Sequence, residues 1–233
     1  MKKIIKSTFQ ILCFGIGLSF VGCNSDKDFK ITEWNSNSDK PIVFYISGDA
    51  GFNTFSKELG GDLHTFGYDV FALDTKKYFW NQKTPEQTSS DIENYINKQL
   101  QDRKEKKVII VGYSFGADVT PFVYNRFNDD LKSKVQQVFI IGPSKTNDFK
   151  IHLQEYFGED IKGSFPVIPE INKMQNVQVM LVLSDFEFEN FPYKEIQLGT
   201  NYQMKHLAGD HHYGGNTQML ADFINNHITS NLK

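Results

Sequence analysis

Four stretches of the chain are largely apolar without alternation: Ile42-Val43-Phe44-Tyr45-Ile46, Val108-Ile109-Ile110-Val111, Val135 to Ile141 and Val177 to Leu183. Runs of that length and character suit strands buried on both faces. Phe29-Lys30-Ile31-Thr32-Glu33-Trp34 instead alternates, as a half-buried strand does. Between these runs lie segments of helical length, Phe52 to Phe66, Thr84 to Leu100, Phe115 to Phe127 and Thr217 to Ile228. The second carries a clear start signal, with Thr84 as N-cap, Pro85 at the first helical position and Gln87 three residues after the cap. Strands alternating with helices predict a mostly parallel central sheet covered by helices on both faces. Pro143 to Asn176 breaks the rhythm with Gly158, Gly163, Pro166 and Pro169 and is expected to form an insertion over one end of the sheet.

The N-terminus follows a different pattern. Lys2, Lys3 and Lys6 precede an uncharged, largely apolar run from Ser7 to Gly22, as in a bacterial export signal. Ser19-Phe20-Val21-Gly22-Cys23 is similar to a lipobox, with Phe20 at the usual leucine position, which makes Cys23 the expected lipidation site. The run falls short of the roughly 20 apolar residues that a membrane span needs. The expected organisation is therefore a signal peptide over 1–22, a lipid-anchored tether over 23–28 and a single domain over 29–233, placed in the periplasm or cell envelope.

Composition changes this picture little. The 233 residues suffice for one substantial core, and 39% hydrophobic with 23% charged residues describes a globular domain. The formal net charge is -3, and loss of the three leader lysines would take it to -6, which argues against a nucleic-acid partner bound through phosphates. A cationic or neutral substrate is mildly favoured. With Cys13 in the leader and Cys23 acylated, no cysteine pair would remain to oxidise.

The chemistry centres on Gly112-Tyr113-Ser114-Phe115-Gly116, a G-x-S-x-G that follows a buried run and opens a helical one. In that context the motif is the nucleophile elbow of the α/β-hydrolase fold, presenting Ser114 at the carboxyl edge of the sheet. A hydroxyl needs a neighbouring base at neutral pH. Gly209-Asp210-His211-His212 supplies it after the last core segment, with His211 in the Gly-x-His position and His212 as the fallback. Adjacent histidines also suggest a metal, but no further ligands stand at a recognisable spacing, so neither a metal nor another cofactor is called for. The acid belongs after Val177 to Leu183, where Asp185 and Glu187 both qualify and Glu189 fits less well. Oxyanion donors are expected from the amide of Phe115 and from Asp49 or Ala50 in the Ser47-Gly48-Asp49-Ala50-Gly51 turn. That turn lacks the lysine and spacing of a phosphate-binding loop.

Several of these segments together resemble the VirJ/AcvB family of bacterial virulence-associated proteins. They are Ser47 to Phe52, Tyr78-Phe79-Trp80, Thr84-Pro85-Glu86, Gly112 to Asp118 with Pro121, and Gly209 to Tyr213. Ala50 and Phe52 replace a Gly and a Trp that the family often has, and the region after Leu183 lacks its usual Gly and Cys. The resemblance implies a periplasmic α/β-hydrolase that removes an aminoacyl group, notably lysine, from aminoacyl-phosphatidylglycerol, a membrane lipid. On that reading Asp49 or Asp118 would bind the substrate ammonium, although an acid in the first turn of a helix, like Asp118, is favoured by the helix dipole alone. Tyr78 and Trp80 would line a pocket if the aromatic cluster were not core, which is the commoner use of such clusters. Two other readings stand beside it: a non-catalytic periplasmic adaptor on a hydrolase scaffold, and a general esterase or thioesterase.

Overall fold

The computed structural model describes residues 27–152 and 163–230. The expected signal peptide, Cys23 and the start of the tether lie outside the described residues. Seven strands form one sheet in the order β1-β3-β2-β4-β5-β8-β9. They are β1 (Ile31–Trp34), β2 (Ile42–Ile46), β3 (Val70–Leu73), β4 (Val108–Tyr113), β5 (Val135–Ile141), β8 (Gln178–Leu183) and β9 (Tyr202–His206). Among the described residues of this sheet β1 alone runs antiparallel, pairing Ile31 with Leu73 at the sheet edge, and its other pairings are parallel. β6 (Thr146–Asn147) and β7 (Phe165–Pro166) pair separately within the segment expected to interrupt the rhythm.

The continuous apolar runs are explained by the two faces of this sheet. Ile42, Phe44 and Ile46 of β2 point into one core with Ile110, Ile140 and Leu181, while Val43 and Tyr45 point into the other with Ile109, Phe139 and Val182. Successive side chains alternate in direction, so a strand covered on both sides must be apolar at every position. The first face is covered by α3 (Pro85–Leu100) and α4 (Phe115–Arg126), the second by α1 (Thr54–Thr65) and α8 (Thr217–Ser230). Thr84 caps α3 as its sequence suggests, its hydroxyl accepting from the Gln87 amide at 3.1 Å. The short helices α2 (Thr75–Tyr78), α5 (Asp129–Lys134), α6 (Val167–Ile171) and α7 (Asp185–Asn190) are not among the elements expected from the pattern, and neither are the sheet strands β3 and β9. β9 is largely exposed and polar, so it lacks the apolar run that marks the central strands.

Parallel strands all end on the same side. The turns after β2, β4, β5, β8 and β9 therefore converge at the carboxyl edge of the sheet, although they are far apart in the chain.

Candidate active site

Ser114 links β4 directly to α4 and has φ 54° and ψ -121°, a conformation that a side-chain-bearing residue adopts only when its surroundings impose it. The imposition comes from packing. A Cβ at Gly116 would lie 2.6 Å from the Ile46 carbonyl carbon, so only glycine lets α4 start this close to β2. The strained turn leaves the Ser114 hydroxyl at the sheet edge.

The turn after β9 brings in His211. The Ser114 hydroxyl lies 2.8 Å from His211 Nε2, and His211 Nδ1 lies 2.6 Å from Glu187 Oε1. Burial opposes the charge on Glu187, but His211 together with the Ser184 hydroxyl and amide holds its carboxyl below the usual range. An ionised carboxylate only accepts hydrogen bonds, so Nδ1 carries the proton it donates and Nε2 is left to accept from Ser114. The other oxygen, Oε2, accepts from the Ser184 amide at 3.1 Å and from its hydroxyl, closing a capping box at the start of α7. One side chain thus starts the helix and orients the histidine.

Asp185, the alternative acid, faces elsewhere. It accepts from the Gly209 amide at 2.8 Å and meets His206 Nε2 at 2.7 Å, which together hold its carboxyl below the usual range. His212 is exposed, with its ring edge-on to Phe55 at 5.7 Å, and it is His211 that meets the Ser114 hydroxyl.

The turn after β2 lies against Ser114, since a Cβ at Gly48 would sit 3.3 Å from Ser114 Cβ. Phe115 is the first residue of α4, where an amide has no carbonyl one turn earlier to bond. Ala50 departs from the expectation, because its N–H is donated to its neighbour's Asp49 Oδ1 at 2.7 Å. Asp49 is partly exposed on the same turn.

A cavity of about 320 Å³ opens beside Ser114 and His211, walled by Pro143, Ser144, Lys145, Phe186 and Phe191 among others. Three further expectations need correction here. Asp118 is 3% exposed and cannot meet a substrate ammonium; instead it accepts from the Ser144 amide at 2.5 Å, and burial pushes its pKa well up. Tyr78 is fully buried, its hydroxyl donating to Asp91 at 2.6 Å, so it belongs to the core. Trp80 is 51% exposed but lines a separate depression with Lys76 and Lys77, away from the cavity at Ser114.

Two supporting residues escaped the sequence reading. Tyr113 stacks on His211 with ring centroids 5.5 Å apart and donates its hydroxyl to the His211 carbonyl at 3.0 Å. Gly142, at φ 62°, turns the chain after β5, and a Cβ there would lie 3.2 Å from His211 Cε1. The Gly-Pro pair following an apolar run was the available signal for the second. Tyr113 carries no such signal, as its position within the motif accepts any residue.

The sheet order, the elbow and the Ser-His-Glu contact series define an α/β-hydrolase fold. Solved structures agree on the fold: MenH from S. aureus superposes with a TM-score of 0.64 at 11% identity, over 87% of this chain and 99% of that one. Est1E from Butyrivibrio proteoclasticus gives 0.57 at 15% identity, over 86% and 96% of the two chains. Among curated proteins, Lipase member M of Mus musculus is 27% identical over 115 residues. That match takes in 49% of this chain and 27% of the lipase, so the chain spans about a quarter of that relative's length. The chain belongs to the family described as bacterial virulence protein (VirJ), which matches residues 39–232.

Proposed function

We propose that the protein is a serine hydrolase that cleaves carboxylic esters through an acyl-enzyme. The observation that carries this reading is the unbroken hydrogen-bond series from Ser114 through His211 to Glu187. As Ser114 Oγ attacks the ester carbon, its proton passes to His211 Nε2, and Glu187 stabilises the resulting imidazolium. The amides of Phe115 and Asp49 are the donors for the oxyanion. Collapse of the tetrahedral species breaks the bond to the leaving alkoxide, which takes the proton from His211. Water then repeats the sequence on the acyl-enzyme, its proton going to His211 and finally to Ser114 as the acid is released.

The substrate reading is an aminoacyl-phosphatidylglycerol, with lysine as the favoured aminoacyl group, processed at an envelope membrane surface. Such a lipid carries an ammonium beside its ester and a phosphate beyond it. Asp49 on the turn against Ser114 suits the first charge, and Lys145 in the wall of the cavity suits the second.

The test is incubation of the purified protein with lysyl-phosphatidylglycerol vesicles, with short soluble esters in parallel. Free lysine should be released by the wild type and not by Ser114→Ala, and a fluorophosphonate should label Ser114. Cleavage of soluble esters with the lipid untouched would remove the substrate and keep the hydrolase. Absence of labelling would remove both and favour a non-catalytic adaptor.

A further inference from the structure

The chain as a whole is acidic, yet one face of it is basic. Lys27 and Lys30 lead into β1, Lys57 stands on α1, and Lys76 and Lys77 stand on α2. They line two adjoining surface depressions of about 400 and 420 Å³ that share Lys30, Lys76 and Lys77. Against these five lysines the walls hold two acids, Asp28 and Asp74. Asp74 meets the Lys77 amide at 3.3 Å and its ammonium at 3.0 Å, and with both acids counted against the five lysines the walls keep a net excess of three positive charges.

The wall of the second depression includes Trp80, 51% exposed, although its neighbours Tyr78 and Phe79 are fully buried. An indole held in water beside a row of ammonium groups matches the chemistry of a bilayer interface. There the ring settles at headgroup depth, and lysines meet the phosphates of anionic lipids. The first depression ends at Ala50 and Phe52, on the turn that lies against Ser114. The two surfaces are one packed unit, since a Cβ at Gly51 would lie 2.6 Å from Lys76 Cβ. In sequence the patch begins four residues after Cys23.

We propose that this face docks onto an anionic lipid bilayer, with Lys30, Lys57, Lys76 and Lys77 over lipid phosphates and Trp80 at the headgroup level. Docking in this pose puts the turn beside Ser114 next to the headgroups. It also adds a second, electrostatic attachment to any lipid on Cys23, and a single acyl chain by itself holds a protein only marginally. The inference concerns attachment and stands whether or not Ser114 is a nucleophile.

The test uses the full chain with Cys23→Ala, to remove acylation, and Trp34→Phe, to leave Trp80 as the sole indole. Vesicles of phosphatidylcholine alone are compared with vesicles that also contain phosphatidylglycerol. Sedimentation with the anionic vesicles, falling as salt is raised, and a blue shift of Trp80 emission on binding them are expected. Each lysine near an anionic surface strengthens binding about fivefold, so Lys30→Gln, Lys76→Gln and Lys77→Gln combined should weaken it roughly a hundredfold. If the triple variant fails to fold, Lys30→Gln and Lys77→Gln singly should each show the fivefold loss. Equal binding by parent and variants, or unshifted Trp80 emission, overturns the proposal. So does binding of glycerol phosphate as tight as that of the vesicles, which would make the patch a phosphate site that needs no bilayer.

Discussion

Replacing Glu187 by Gln tests the relay at its most specific joint. Glu187 receives two demands at once: Oε1 accepts from His211 Nδ1 at 2.6 Å, and Oε2 accepts from the Ser184 amide at 3.1 Å and from the Ser184 hydroxyl. A glutamine has one acceptor oxygen. Ser184 is an N-cap with an amide to satisfy, and Gln closes a capping box as Glu does, so the oxygen is expected to stay there. The NH2 group then faces His211 and donates to Nδ1. That fixes the proton on Nε2, which can no longer accept from Ser114. The fold is kept and the tautomer is reversed. In the well-studied serine protease triad, the equivalent acid-to-amide change lowers kcat about 10⁴-fold with geometry intact, equivalent to about 5 kcal/mol of barrier. A loss of that order is expected here, read as fluorophosphonate labelling rate and as turnover of a chromogenic ester. Asp185→Asn is the matched control, because its remaining oxygen still accepts from the Gly209 amide, and it should stay within about tenfold of wild type. Glu187→Gln activity within tenfold of wild type, or an equal loss in Asp185→Asn, would refute the assignment. A stability readout accompanies it. The Glu187 carboxyl is held low in the folded chain, so its contribution is present above the ordinary glutamate value of about 4.3 and disappears as pH falls through the lower folded value. Wild type should therefore lose more stability than Glu187→Gln on acidification below about pH 4.

Gly142→Ala should lower ester turnover at least tenfold and stability by about 1 kcal/mol, because a Cβ at φ 62° is strained and would press on the His211 ring from 3.2 Å. Unaltered turnover with a normal melting temperature would show that the ring has room to move. Asp118 has a raised pKa from burial, so the unfolded chain ionises first and stability should decline as pH rises from about 4 toward the folded value. Asp118→Asn should flatten that decline in urea titrations between pH 4 and 7, and an unchanged slope would assign the pH dependence to other groups. Cys23→Ala should abolish incorporation of labelled fatty acid in cells, and persistent labelling would place the lipid elsewhere.

Much of the architecture follows from the sequence because its signals are local. Ile42 to Ile46 announces a strand covered on both faces by being apolar at every position, and Thr84-Pro85 with Gln87 announces the start of α3. Gly112-Tyr113-Ser114-Phe115-Gly116 specifies a strand, a strained turn and a helix within five residues, so the position of Ser114 is readable without knowing what lies opposite. The choice between Asp185 and Glu187 is of another kind. They sit two residues apart on α7, which turns their side chains about 200° from each other, and only the packing of α7 beside the turn after β9 decides which one meets His211. Asp118 likewise lies in the motif segment, but its burial under Ser144 depends on where the chain goes after β5. The basic face is the extreme case. Its lysines come from three separated segments whose local sequences are unremarkable, and their summed field exists only once β1, α1 and α2 are packed side by side.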